Sequence, residues 1–170
     1  RPRLLRPFCI ERALPADACA ALIAEAERVA RERGGWQSSR HKHHPTVDMP
    51  LHDLPAARYA ALRAVLDGAI LPAMRGRYAS DELRLREAFL VKYEAPAAEA
   101  VGGAPRAAGA GAAPRRQPGL DFHRDGTLLN AVILLSCPAD FDGGGTKFAP
   151  PLDRTYSTGQ GDALCSCGQL

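Results

Sequence analysis

A chain of 170 residues, 46% of them hydrophobic, is long enough to bury the core of one domain. Its formal net charge of +3 is too small to indicate a nucleic-acid partner or an anionic membrane surface, and no apolar run approaches the roughly 20 residues of a membrane-spanning helix. Five cysteines, odd in number and irregularly spaced, argue against a full disulfide framework. The sequence begins at Arg1 rather than at a methionine, so we expect it to be part of a longer protein.

Two helical patterns fill the N-terminal part of the predicted domain, residues 14–79. Apolar residues recur at helical spacing over residues 15–33, where Pro15 suits the first turn and the two glycines that follow suit the end. A second helical pattern covers residues 55–78, and Pro72 is expected to end or kink it. Both helices are expected to support a sheet.

A polar loop is predicted between the two helices, over residues 35–49. It contains His41, His43 and His44, and His52 follows nearby, so a metal site is one interpretation. The pattern favours a solvated or substrate-side loop instead, because a closed metal site needs partners that orient its ligands and none can be identified here.

Apolar and polar residues then alternate from Leu83 to Glu94, which predicts a strand. Tyr93 shares a face with Phe89 and Val91, so its hydroxyl points into the protein if that face is the inner one. The alternative is a core tyrosine whose hydroxyl is satisfied locally.

A low-complexity segment follows the strand, over residues 95–119. Of its 25 residues, 10 are Ala, 5 are Gly and 4 are Pro, so few side chains are available to build a core. We interpret it as a disordered or mobile insertion between two strands, serving as a lid or representing a neutral expansion.

The segment after this insertion contains the strongest chemical signal, His123-Arg124-Asp125. In an extended segment, residues two apart point to the same side, so the imidazole and the carboxylate would converge. They would supply two of the three ligands of the 2-His-1-carboxylate triad, which holds non-haem Fe(II) and leaves coordination positions open.

The C-terminal third reads as strands and turns. Residues 128–135 are apolar except for Asn130, which suits a strand buried on both faces or a buried helical segment, and the length favours a strand. The glycines at 143–145 predict a reversal with positive φ rather than a phosphate-binding loop, because no Lys-Ser/Thr pair follows in the required register. Residues 162–165 predict another strand.

Taken in order, these motifs resemble the 2-oxoglutarate- and Fe(II)-dependent oxygenases, in particular the prolyl 4-hydroxylase and lysyl hydroxylase branch. The resemblance runs from about Gly35 to the last residue and rests on four stretches: Phe89–Tyr93, His123–Asp125, Asp140–Phe148 and Gly161–Leu164. It implies a double-stranded β-helix, or jelly-roll, core with supporting N-terminal helices. The residues themselves support only the α+β class, with helices first and strands after.

The resemblance also implies a site. His123 and Asp125 would bind Fe(II), and Tyr93 would lie beside the 2-oxoglutarate. The third ligand, a histidine, and a basic anchor for the distal carboxylate of 2-oxoglutarate are expected beyond Leu170, so the chain as given is expected to be truncated and inactive. Lys147 or Arg154 is the less favoured alternative for the anchor, and Cys165 with Cys167 a less favoured metal pair.

The implied activity is hydroxylation of a prolyl or lysyl side chain in a peptide or protein. The reaction would use O2, convert 2-oxoglutarate to succinate and CO2, and need ascorbate to restore the iron. Two alternatives remain, a non-catalytic jelly-roll binding module and an oxygenase acting on a nucleic acid or a small molecule. The nearly balanced charge and the single tryptophan, Trp36, argue against a nucleic-acid substrate.

Overall fold

The computed structural model describes residues 6–36, 46–95 and 118–168. Helices from the N-terminal half pack on one side of a small antiparallel sheet, which confirms the predicted α+β class. Across the described ranges the strands form three separate sheets and no closed barrel. The histidines at 41, 43 and 44 and all but the ends of the predicted insertion lie outside the described residues.

The first predicted helix is confirmed as α1, Ala16–Glu32, which begins directly after Pro15. Its buried stripe has the helical spacing that the sequence shows, and it shares one apolar core with Leu62 of the second helical region and with Leu51 and Leu54 of the turn before it. The buried residues of α1 are Cys19, Leu22, Ala26, Val29 and Ala30.

The second helical region is continuous but changes type. It consists of α2, Ala56–Val65, a π-helical segment, Leu66–Ile70, and α3, Leu71–Tyr78. Pro72 therefore does not end the helix, because the wider π turn comes immediately before it, and such turns accommodate an interrupted hydrogen-bond ladder. No helix within the described ranges is both long and apolar enough to cross a membrane.

The central sheet has three antiparallel strands in the order β1-β7-β4. They are β1 (Phe8–Ile10), β4 (Leu129–Ile133) and, in the centre, β7 (Ala163–Cys167). The predicted strands at 128–135 and 162–165 are thereby confirmed, and they pair with each other from Leu129 opposite Cys167 to Ile133 opposite Ala163.

Two short antiparallel pairs complete the strands. The first joins β2 (Asp48–Pro50) to β3 (Phe89–Val91), and the second joins β5 (Thr146–Phe148) to β6 (Arg154–Tyr156). Only three residues of the strand predicted over 83–94 are therefore paired. The predicted reversal before β5 is confirmed, with φ of 79°, 75° and 89° at the three successive glycines.

The two faces of the central sheet differ. Ala163 and Cys165 of β7 are fully buried against Ile70 and Met74, and we call this side the helix-side face. The opposite side, which we call the open face, carries Asn130 and Val132 of β4 with their cross-strand partners Ser166 and Leu164. Leu164 and Ser166 are buried in the central strand, but Val132 on the edge strand is 54% exposed.

The prediction that residues 128–135 are buried on both faces is therefore wrong. Leu128 is 75% exposed, and Val132 is the second large apolar side chain of this stretch that remains exposed. Ala131 and Val132, neighbours on opposite faces of β4, are both exposed, so this edge strand is not covered along its whole length on either face. A continuous apolar run does not distinguish this case from full burial.

The turn before β7 fastens the sheet to the start of α1. The Leu14 amide donates to the Gly161 carbonyl at 3.0 Å, and the Gly161 amide donates to the Leu134 carbonyl at 2.7 Å. The next residue, Asp162, accepts the amides of Arg12 and Gly159 on its two oxygens, each at 2.8 Å. Gly161 and Asp162, which open the stretch Gly161–Leu164 of the resemblance, thus have a structural role.

Candidate functional site

The segment with His123 and Asp125 lies outside any helix or strand, a few residues before β4. Two main-chain contacts hold it. The Asp125 amide donates to the Gly168 carbonyl at the end of β7 at 3.2 Å, and the Arg86 guanidinium donates to the Gly126 carbonyl at 3.0 Å. The segment is therefore fixed both by the central sheet and by the stretch that leads into β3.

The two predicted metal ligands lie side by side. His123 Nε2 is 3.1 Å from Asp125 Oδ1, with side-chain exposures of 24% and 46%. The other ring nitrogen, Nδ1, is 2.7 Å from the Asp121 carbonyl oxygen. A carbonyl only accepts hydrogen bonds, so Nδ1 carries a proton and donates it. Such a bond from Nδ1 fixes the orientation of the imidazole and directs Nε2 at the carboxylate.

The contact between Nε2 and the carboxylate is one that a bound metal cation would suit. With the Nδ1 proton donated to Asp121, a neutral His123 would point the Nε2 lone pair at an oxygen of Asp125. A metal cation held between the two atoms would make that contact favourable. His123 Nε2 and Asp125 Oδ1 would be the two atoms that hold such an ion.

The second carboxylate oxygen of Asp125 has its own partner, Asn130 of β4. The Asn130 side-chain amide donates to Asp125 Oδ2, and Asn130 Oδ1 accepts from the Thr127 hydroxyl. The sequence prediction did not include Asn130 in the site. Its signal was present all the same, since it is the one polar residue in the apolar stretch 128–135.

Tyr93 lies beyond the end of β3, where it is 51% exposed, on the same side of the chain as Phe89 and Val91. The alternate residue Leu90 packs on the core of α1, so Tyr93 lies on the side away from that helix. Partial burial, and then the negative charge of Asp125, raise the pKa of Tyr93 above its ordinary value of 10.0. Its phenol therefore stays protonated near the His123–Asp125 pair and is able to donate a hydrogen bond.

The two residues proposed as alternative anchors differ in position. Lys147 Nζ lies 5.7 Å from the ring centroid of Phe122, the neighbour of His123, so this lysine is close to the segment of the site. Arg154 instead stacks on Tyr156 of its own strand, with the guanidinium carbon 5.0 Å from the ring centroid. Neither contact tests a role in binding 2-oxoglutarate.

The remaining candidate ligands are separate from this pair. Cys165 lies on the helix-side face, where burial and then the charge of Cys9 raise its pKa to about 12. A thiol with that pKa is protonated at neutral pH and is a poor metal ligand. His52 is an exposed residue whose Nε2 lies 3.8 Å from Asp53 Oδ1.

No group of three His, Cys, Asp or Glu side chains able to hold a metal occurs among the described residues. His123 and Asp125 are therefore two candidate ligands that lie together in the part of the chain that the structure describes. The Gly168 carbonyl, which accepts the Asp125 amide, brings the end of β7 directly beside that pair. No protein-family model and no curated protein matches this chain.

Proposed function

We propose that the chain is the iron-binding part of a 2-oxoglutarate- and Fe(II)-dependent dioxygenase that hydroxylates a prolyl or lysyl side chain of a peptide. The observation that carries the proposal is the contact between His123 Nε2 and Asp125 Oδ1. Nitrogen and carboxylate oxygen are donors that suit non-haem Fe(II), and the fixed Nδ1 proton leaves Nε2 as the ligating atom.

A jelly-roll core is the finer part of the fold proposal. In such a fold two sheets pack face to face, so the open face of the central sheet would be covered by a second sheet. The exposure of Val132 and Leu128 supports this arrangement, because apolar residues on one sheet face commonly mark a surface that another layer covers. Asp125 and Asn130, whose side chains are joined by a hydrogen bond, would then lie between the two sheets.

The third ligand is proposed to be a histidine supplied by the protein beyond Leu170. Supporting this, the Gly168 carbonyl accepts the Asp125 amide, so a chain that continues from β7 begins next to the two ligands already described. A basic residue for the distal carboxylate of 2-oxoglutarate would come from the same continuation, and Lys147, close to Phe122, remains the alternative.

Each residue of the site then has a definite task. His123 contributes Nε2 while its Nδ1 proton stays on the hydrogen bond to Asp121, and Asp125 contributes Oδ1. Tyr93, whose phenol is protonated at neutral pH and whose pKa is raised further by partial burial and Asp125, would donate to a carboxylate oxygen of bound 2-oxoglutarate. When bound, Fe(II) supplies the oxidative chemistry that couples decarboxylation of 2-oxoglutarate to hydroxylation of a C–H bond.

The substrate class follows the resemblance to the prolyl and lysyl hydroxylase branch. The surface next to the pair includes the exposed apolar side chains of Phe122 and Leu128, which suits an extended peptide better than a polyanion. Ascorbate is included as the reductant that keeps the iron ferrous.

The test measures succinate release by the full-length protein with Fe(II), O2, 2-oxoglutarate and ascorbate. We expect turnover by the natural sequence and complete loss in His123→Ala, without a change in melting temperature beyond a few degrees. His52→Ala is the matched control, because it removes an exposed histidine that pairs with Asp53 rather than with Asp125. Unchanged turnover in His123→Ala would refute the iron assignment.

A second measurement separates an enzyme from a binding module. A non-catalytic jelly-roll would fold and keep its pocket, yet release no succinate from full-length protein with any peptide. The chain of Arg1–Leu170 alone, with two ligands, is expected to bind Fe(II) weakly. Tight one-to-one binding by this chain would show that a ligand within it had been missed.

A further inference from the structure

Asn130 is an unusual residue for its position in the sheet. It is the one polar side chain in the stretch 128–135, and it lies on β4, on the open face opposite Ser166. Asparagine is depleted in strands because it offers little to a packed, pleated surface. A half-buried asparagine in such a place is best explained by the hydrogen bonds that it makes.

Those hydrogen bonds define the orientation of the amide. A carboxylate only accepts, so the group that faces Asp125 Oδ2 is the NH2 of Asn130. Asn130 Oδ1 consequently faces Thr127, whose hydroxyl donates to it. Thr127, Asn130 and Asp125 form one directional chain, in which the hydroxyl donates to the amide oxygen and the amide NH2 donates to the carboxylate.

The end of β7 leaves room for this chain. A Cβ at Gly168 would lie 3.0 Å from Asn130 Nδ2 and would overlap the Thr127 carbonyl oxygen. Any larger residue at this position would therefore push the amide or the Thr127 backbone aside. The same glycine accepts the Asp125 amide, so main chain and side chain of Asp125 are held by neighbouring groups.

We propose that Asn130 is a positioning residue that limits Asp125 to a single coordinating oxygen, an inference that rests on the function proposed above. Asn130 holds Oδ2, and the remaining oxygen, Oδ1, faces His123 Nε2 at 3.1 Å. An untethered carboxylate is able to rotate and present both oxygens to one ion, as carboxylates do at calcium sites. The iron centres of these oxygenases need open positions, which a two-oxygen ligand would occupy.

The test uses full-length protein and Co(II) as a spectroscopic substitute for Fe(II). Binding is followed by calorimetry, and the coordination number is read from the visible absorption of Co(II). We expect Asn130→Ala to weaken Co(II) binding by about 10- to 100-fold, the usual effect of removing a partner that orients a metal ligand, and to change the absorption spectrum. Thr127→Val, which keeps the amide but removes the bond that orients it, should weaken binding several-fold.

Ser166→Ala is the matched control, since Ser166 is the buried cross-strand partner of Asn130 on the same face. It should leave Co(II) affinity and spectrum unchanged. If Asn130→Ala folds poorly, Thr127→Val still tests the proposal, because a purely structural amide predicts unchanged Co(II) binding in that variant.

Two outcomes overturn the inference, and they are distinguishable. If His123→Ala loses Co(II) binding while Asn130→Ala and Thr127→Val keep the natural affinity and spectrum, the iron site stands and Asn130 does not position its ligand. If the natural protein binds no Co(II), or binds it equally well after His123→Ala, the proposed function fails and the role of Asn130 fails with it.

Discussion

The two faces of the central sheet differ in their burial and in the contacts that they make. On the helix-side face, Ala163 and Cys165 are fully buried against the second helical region. On the open face, Val132 is exposed, and polar contacts from Asn130 lead to Asp125. One strand, β4, belongs to both, because its residues alternate between the two sides.

The difference shows that the apolar core and the candidate site depend on opposite faces of one sheet. The helix-side face is built of close apolar contacts, which contribute most of the free energy of folding. The open face carries hydrogen bonds that orient two candidate ligands, and such contacts add little net stability. Mutations on the two faces should therefore have opposite signatures, with losses of folding on one and losses of metal binding on the other.

The largest expected effect on stability is at the joint between helices and sheet. Gly161 has φ of +83°, and a Cβ there would collide with the Leu14 carbonyl oxygen. We expect Gly161→Ala to lower the free energy of unfolding by about 3 kcal/mol or more, because the turn must move. Chemical denaturation measures this loss.

Gly143→Ala is the control for that experiment. Gly143 has nearly the same φ, +79°, but nothing lies within 4 Å of the place that a Cβ would occupy. It should therefore show only the backbone cost of about 1 kcal/mol. Equal losses in the two variants would mean that the close approach of Gly161 to Leu14 does not contribute to the fall in the free energy of unfolding.

A pair of neighbouring residues on β4 compares the two faces directly. Ile133 packs against the apolar core around α1 and against the apolar core that Ile70 and Met74 form with β7, whereas Val132 is exposed. In the chain of Arg1–Leu170, Ile133→Ala should cost about 2 to 3 kcal/mol, and Val132→Ala less than about 1 kcal/mol. Similar costs at both positions would contradict the assignment of an open face.

A smaller effect is expected where α1 meets β3. Lys92 lies 2.8 Å from Glu27 and 3.0 Å from Glu94. Burial alone would raise the pKa of Glu27, but hydrogen bonds from Lys92 and Trp36 outweigh it and lower the pKa below 4.5. Burial alone would likewise lower the pKa of Lys92, but its two carboxylate partners raise it above 10.5.

The sign of the pH dependence follows from these shifts. The lowered pKa of Glu27 adds stability above pH 4.5 that is lost as the pH falls through its folded value. The raised pKa of Lys92 adds stability below pH 10.5 that is lost as the pH rises through its folded value. Lys92→Met should cost about 1 kcal/mol at pH 7 and much less near pH 3, measured by urea unfolding.

Arg63→Met serves as the control, because Arg63 pairs with Asp67 one helical turn away on an exposed surface. Its loss should be below about 0.5 kcal/mol. Lys92 Nζ also lies 5.6 Å from the ring centroid of Trp36. A cost for Lys92→Met that does not change between pH 7 and pH 3 would show that this ring contact, rather than the ion pairs, accounts for the effect.

The smallest expected effect is at the candidate site, where Tyr93 lies near Asp125. Tyr93→Phe removes a phenol hydroxyl that is protonated at neutral pH and whose pKa partial burial and Asp125 raise further. We expect the KM for 2-oxoglutarate to rise about five-fold with kcat unchanged, equivalent to one hydrogen bond of about 1 kcal/mol. An unchanged KM would assign Tyr93 a structural role only.

Much of the helical layer was predictable because periodicity is a local property of the sequence. The bounds of α1 follow from its apolar stripe and from Pro15, and β4 follows from the apolar stretch that contains it. The strands β1, β2 and β6 were not predicted, because three residues are too few to show a period. Their pairing partners are distant in sequence, and nothing local specifies them.

The site was predictable in part for the same reason. His123 and Asp125 are two residues apart, so their approach follows from a local conformation. Asn130 and Gly168 act through contacts that depend on the register of β4 with β7, which the sequence does not reveal. An isolated polar residue in an apolar strand was the available clue, and it indicated a partner without identifying it.

The strand order has a consequence for biosynthesis. Both β1 and β4 pair with β7, the last strand of the described chain. The Asp125 amide likewise donates a hydrogen bond to the carbonyl of Gly168, which follows β7. During translation, β1 and the segment with His123 and Asp125 are therefore synthesised before β7 and Gly168, with which they make these contacts. The segment with His123 and Asp125 therefore gains its main-chain contact with the end of β7 only after residue 168 has been synthesised.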